Sequence, residues 1–147
     1  MDVLIVECGS HRCALPVGKV IETMRPLPIE PLPDVPDFVQ GLAVVRGRAI
    51  PVVDLARVLG GREERIGRFV TVRAGGPGVA LAVRGVVGTQ VLEAAQIEQL
   101  PPLARGASPA LVRGLAVLDR ELLLLLELGR ILPREIAADL EARGSSL

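Results

Sequence analysis

A mostly β fold is predicted for this chain from three observations. Its apolar segments are short, rich in Val, Leu and Ile, and bounded by Gly and Pro. No long helical period alternates with them, which disfavours a parallel α/β sheet. Half of the 147 residues are hydrophobic, enough for a packed core, and the length fits one domain or two small subdomains sharing that core.

The elements follow in order. Val3 to Cys8 reads as a strand ended by Gly9-Ser10, and Cys13 to Val17 and Val20 to Met24 as one or two strands broken at Gly18. Pro26, Pro28, Pro31, Pro33 and Pro36 then exclude a sheet interior or a helix, so this stretch is a rigid surface crossover. Pro36 to Gln40 fits one helical turn ended by Gly41. Leu42 to Val45 and Ala49 to Val53 are apolar strands around Arg46-Gly47-Arg48. Asp54 is placed to cap a short helix over 55–59, with Gly60 past its end.

A charged loop over 60–67 leads to a strand from Arg68 to Arg73 and a tight connection at Gly75-Gly76-Pro77-Gly78. Val79 to Val83 is apolar at every position, as a strand buried on both faces would be. Val86 to Leu92 follows a break at Gly85. Residues 97–109 read as loop. Leu111 to Leu118 and Leu122 to Leu128 flank a hairpin turn at Asp119-Arg120-Glu121. From Gly129 the chain reads as helical, with Pro133 in the first turn, Ile136 and Leu140 on one face, and Gly144 at the close. Two small barrels side by side fit this series.

Composition narrows the function. Acidic and basic residues balance at 17 each, whereas nucleic-acid binders and anionic-membrane binders carry a basic excess. Phe38 and Phe69 are the only aromatics, too few for base stacking. A small β-barrel nucleic-acid-binding module is therefore the weaker alternative. The longest apolar run, Leu122 to Leu126, falls far short of the ~20 residues of a membrane helix. The start of the chain has no signal-peptide pattern, so a cytoplasmic protein is expected, without direct membrane insertion.

Catalytic chemistry is hard to assemble. His11 is the only histidine, and no nucleophile elbow surrounds Ser10 or Ser108. Gly75 to Gly78 precedes a strand and lacks the Lys-Ser/Thr of a phosphate loop. With His11, Cys8 and Cys13 are too few for a structural zinc site, and read as buried reduced thiols. Five residues apart, they would face opposite sides of a single strand. No cofactor or metal is expected, and the chain is read as a binding protein and not an enzyme.

One segment is distinctive. Gly41, Arg46-Gly47 and Ile50-Pro51-Val52-Val53-Asp54-Leu55 form a hairpin running into a capped helix. An Arg in such a turn is either solvated or paired with an acid. This pattern resembles the CheW family of chemotaxis coupling proteins, with Val44-Val45 in place of the family's Asn-Leu. Ala14-Leu15-Pro16-Val17, Val20-Ile21-Glu22, Gly114-Leu115 and the strand over 122–126 extend the likeness to roughly residues 3–133. Val83-Arg84-Gly85-Val86 resembles a family Val-Asp-Gly-Val, with Arg84 reversing the charge.

The resemblance implies a single CheW-like domain over 1–147. Its fold would be two SH3-like five-stranded β-barrel subdomains around a shared core, with short helices and a C-terminal helix, the second barrel spanning roughly 61–125. It further implies a non-enzymatic cytoplasmic adaptor, associated with receptor arrays at the inner membrane. The adaptor would couple a methyl-accepting chemoreceptor signalling tip to the regulatory domain of a CheA-type histidine kinase. Gly41, Arg46, Gly85 and Val86 would face the receptor, and Leu4, Val17, Val20 and Glu22 the kinase. The changes at Arg84 and Val44-Val45 suggest a specialised relative.

Overall fold

The computed structural model describes residues 1–62, 64–74, 76, 78–99 and 111–145. Among these, eleven strands form two sheets. The strands are β1 (Asp2–Cys8), β2 (His11–Pro16), β3 (Val20–Met24), β4 (Val39–Val45), β5 (Arg48–Asp54), β6 (Arg68–Val72), β7 (Val79–Val83), β8 (Gly85–Val91), β9 (Ile97–Gln99), β10 (Val112–Leu118) and β11 (Glu121–Leu126). The helices are α1 (Leu55–Val58) and α2 (Arg134–Ser145). One sheet has the order β8-β1-β2-β11-β10-β9, the other β3-β6-β7-β5-β4. Neighbours are antiparallel except β2 with β11 and β5 with β7.

Five strands per subdomain holds for one sheet. The other has six, because Ile97–Gln99, expected as loop, pairs with β10. The segment 61–125 contributes strands to both sheets. The chain leaves the first sheet after β2, builds the second between residues 20 and 83, and returns to the first with β8.

Both sheets curl. The outer strands of the six-stranded sheet, β8 and β9, are joined by residues 92–96 alone. That link reaches at most ~22 Å from Val91 to Ile97, less than the width of a flat six-stranded sheet, so the two edges are drawn toward each other. The outer strands of the five-stranded sheet, β3 and β4, are linked by the proline-rich crossover. Glu30 in that crossover exchanges backbone hydrogen bonds with Leu42 at 2.7 and 2.9 Å. Leu27 and Ile29 pack inside the curl, while Leu32, Val35 and Phe38 pack against the core between the sheets.

Strand alternation divides the apolar residues among three cores. On β1, Val3 and Ile5 face the interior of their own sheet, while Leu4, Val6 and Cys8 face the shared core. On β7, Ala80 and Ala82 pack beside Phe69 inside the second sheet, and Val79, Leu81 and Val83 enter the shared core. The predicted two-sided burial of β7 follows from this: small side chains fill the curl and larger ones the space between sheets.

Turns follow local chemistry. Arg46 and Gly47, at φ 50° and 79°, form the two-residue β4–β5 turn. Asp119 and Arg120, at 48° and 69°, do the same between β10 and β11, so Glu121 belongs to β11 and not to the turn. Paired positive φ angles match the twist of a hairpin. The Asp54 carboxylate accepts from the Ala56 and Arg57 N–H groups and caps α1 as predicted.

Several local expectations are corrected. Gly41 does not end a helical turn; residues 37–38 form a turn, and β4 already runs from Val39, with Gly41 at a register shift. At φ 141°, a Cβ on Gly41 would lie 2.1 Å from the Glu30 carbonyl oxygen, so the crossover leaves no room for a side chain. Gly144 lies within α2, where a Cβ would sit 3.3 Å from the Ala49 carbonyl oxygen of β5. Arg143 beside it donates to the Pro33 carbonyl at 2.5 Å. Cys8 and Cys13 are on different strands of one hairpin and face the same core, because the turn at Gly9-Ser10 reverses the chain between them.

Candidate protein-binding surfaces

Arg46 is held by the β4–β5 turn with its side chain 77% exposed. A left-handed backbone at an arginine is unfavourable, since such turns prefer Gly, Asn or Asp. Its guanidinium donates twice to Glu22 on β3, Nε to Oε2 at 2.8 Å and Nη2 to Oε1 at 3.1 Å. These hydrogen bonds, with the Arg46 charge, hold the Glu22 carboxyl below its ordinary pKa and raise that of Arg46. The pair spans the two edges of the curled sheet. It also joins residues assigned by resemblance to different partners, because a sequence pattern cannot show that β3 and the β4–β5 turn meet. Val44, 63% exposed, lies on β4 two residues before Arg46.

The residues implied at the kinase side divide. Val17 is exposed in the turn between β2 and β3, and Val20 is half-buried against the shared core. Leu4 is only 7% exposed and lies within that core, since the alternation of β1 turns it inward with Val6. Leu4 thus supports this corner from beneath. Above it, Val17 lines an open groove of about 550 Å³ with Asp2, Thr89, Gln90 and Val91. Val91 is 56% exposed, and sequence reasoning missed it because β8 carries no clean alternation.

Gly85 and Val86 open β8, opposite Glu7 and Val6. Val86 packs against the shared core. Gly85 is partly exposed, and a Cβ there would lie 3.5 Å from a Glu7 carboxylate oxygen. Arg84 donates through Nη2 to Glu7 Oε2 at 3.0 Å, and its N–H to the Glu7 carbonyl at 2.9 Å. The reversed charge at position 84 is therefore neutralised within the chain. The sequence offered no route to Glu7 as partner, because the pairing depends on the β1–β8 register.

No cluster of His, Cys, Asp and Glu suited to a metal ion occurs among the described residues. No helix among them is long and apolar enough to cross a membrane. What the exposed groups offer is recognition: a bidentate Arg–Glu pair with further guanidinium donors, and an apolar corner beside a groove.

The model of the CheW-like domain matches residues 2–135. The chain belongs to the CheW-like domain family. Protein FrzA of Myxococcus xanthus is 36% identical over 105 residues, covering 69% of this chain and 64% of FrzA. The chain thus spans less than two thirds of that relative. The chemotaxis protein CheW of Thermotoga maritima is 26% identical over 133 residues, covering 89% of this chain and 87% of that protein. The crystal structure of the scaffolding protein TtCheW from Thermoanaerobacter tengcongensis superposes with a TM-score of 0.82 at 23% identity, covering 92% of this chain and 94% of that one. This likeness places the two curled sheets and the C-terminal helix in the CheW fold. The CheW-like domain is thus the unit that this chain shares with the chemotaxis protein CheW.

Proposed function

We propose that this CheW-like domain is a cytoplasmic adaptor coupling a chemoreceptor signalling tip to the regulatory domain of a CheA-type histidine kinase. The observation that carries the reading is Arg46, exposed in a left-handed turn and oriented by Glu22 within a chain that matches the CheW-like domain almost throughout. Arg46, with its remaining donors, meets a carboxylate or carbonyl on the receptor helix. Glu22 serves this contact by fixing the guanidinium plane. Gly41 keeps the crossover seated behind β4, and Gly85-Val86 set the edge of the same receptor-facing side. The exposed Val17 and the half-buried Val20, with Leu4 packed beneath, form the kinase-facing corner. Val91 extends it along the groove. No chemical step is involved; signal passes as coupling between two binding equilibria.

A titration of the chain against each partner fragment tests this. Binding to both is expected, with Arg46→Ala weakening the receptor contact by roughly tenfold and sparing the kinase contact. Binding to neither fragment would remove the reading and leave only the fold.

A further inference from the structure

Cys8 ends β1 and Cys13 lies within β2, and both side chains enter the shared core. Register pairs Cys8 with His11 and Cys13 with Val6, so the cysteines are diagonal neighbours across the hairpin. Their Sγ atoms are 3.0 Å apart, and neither residue is more than 1% exposed. A disulfide bond is about 2.05 Å long, so closing it brings the sulfurs about 1 Å nearer and draws the two strands together at this diagonal position. Any small apolar pair would fill the core here equally well. Two thiols facing each other at contact add something that such a pair lacks, a site that two-electron oxidation can close.

We infer that Cys8 and Cys13 form a reversible intramolecular disulfide by exchange with a low-molecular-weight disulfide such as oxidised glutathione. Cys8 reacts first. It stands at the strand end, two residues before the exposed turn residue Ser10, whereas Cys13 lies on a strand flanked by β1 and β11. Fraying of the hairpin end exposes Cys8 while the rest of the sheet stays formed. The Cys8 thiolate attacks one sulfur of the glutathione disulfide and breaks its S–S bond. The glutathione thiolate released takes up the proton that Cys8 lost. Hydrogen bonding to Cys8, with burial, holds the Cys13 thiol protonated until Cys8 has reacted. Cys13 Sγ then attacks the Cys8 sulfur of the mixed disulfide and expels the second glutathione, which takes the Cys13 proton. The protein loses two hydrogen atoms and one glutathione disulfide becomes two thiols.

The experiment incubates the full chain with oxidised glutathione, quenches in acid and reads intact mass without reductant. The expected product is a monomer lighter by two hydrogen atoms, with no free thiol in denaturant and full reversal by dithiothreitol. It forms slowly, because the hairpin end must open first. Cys13→Ser should instead accumulate a single glutathione adduct at Cys8. The denatured chain, oxidised in parallel, shows that the pair can close when unrestrained. A folded chain that keeps both thiols free while the denatured chain oxidises would overturn the inference. So would two glutathione adducts per chain, or disulfide-linked dimers in place of the internal bond.

Discussion

Arg46 and Glu22, on opposite edges of one curled sheet, hold each other by two hydrogen bonds of 2.8 and 3.1 Å. The bond is bidentate, so it fixes the guanidinium plane as well as its position. It also links the β4–β5 turn to β3, and hence the proposed receptor contact to the strand that carries Val20 of the kinase-facing corner. A surface ion pair of this exposure adds little to folding stability. Its effect belongs to orientation.

The first prediction concerns this pair. Glu22→Gln should leave the fold intact and weaken receptor binding in the same direction as Arg46→Ala, by a smaller factor. Arg46→Lys should not restore binding, because an ammonium cannot make the fork. The Glu22 pKa is depressed in the folded chain. The ionised pair is therefore complete above the ordinary carboxylate range and is lost as pH falls through the depressed value. Receptor affinity should stay flat from neutral pH down to that range and fall only in stronger acid. A carboxylate titration by NMR checks the cause: in Arg46→Ala the Glu22 midpoint should move up. An unmoved midpoint would mean that Arg46 does not hold Glu22 in solution.

The strands, their Gly and Pro boundaries and the Asp54 cap were legible because each is a local signal. Strand residues alternate, a cap acts over three residues, and a proline excludes a sheet interior wherever it falls. What was not legible depends on register. Cys8 and Cys13 would face opposite sides only on a single strand; the two-residue turn between them reverses the chain, and the hairpin register then turns both to one core. Leu4 carries the same side chain whether it faces a partner or the core, and only the pairing of β1 decides. Arg46 with Glu22, and Arg84 with Glu7, are 24 and 77 residues apart and meet only through tertiary structure. The short β9 resembles loop because three residues are too few to show a period.

A second prediction separates two glycines. Gly41→Ala sets a Cβ 2.1 Å from the Glu30 carbonyl oxygen at a φ that favours glycine, and no flexible side chain can yield there. The crossover must move, at a cost on the order of 2–4 kcal/mol. Gly18→Ala meets nothing within 4 Å and should change stability by less than about 0.5 kcal/mol. Urea unfolding of both variants checks this. Equal stability of the two would show that the crossover does not press on β4.

The third prediction divides the apolar corner. Leu4→Ala removes a side chain from the shared core and should cost about 2–4 kcal/mol. Val17→Arg changes an exposed turn residue and should leave thermal stability nearly unchanged while weakening kinase-domain binding. If Val17→Arg bound the kinase domain normally, the groove lined by Val17 and Val91 would not be the kinase-facing surface.

The last prediction follows from Arg84. Its guanidinium meets Glu7 at 3.0 Å, with side-chain exposures of 50% and 33%. Taken alone, the family likeness suggests that Arg84→Asp should strengthen binding to a standard receptor tip. The structure adds a counter-effect, since the new carboxylate would stand one residue from Gly85, the partner of Glu7, and near the Glu7 carboxylate. Like charges this close repel, weakly at this exposure, by less than about 0.5 kcal/mol. Arg84→Asp should therefore lower stability slightly, and adding Glu7→Arg should recover it by restoring an ion pair of reversed polarity. Receptor binding is read on the double variant, where the local strain has been removed. Stronger binding there would assign receptor choice to the charge at position 84. Unchanged binding would leave Arg84 as the internal partner of Glu7, tying β8 to β1.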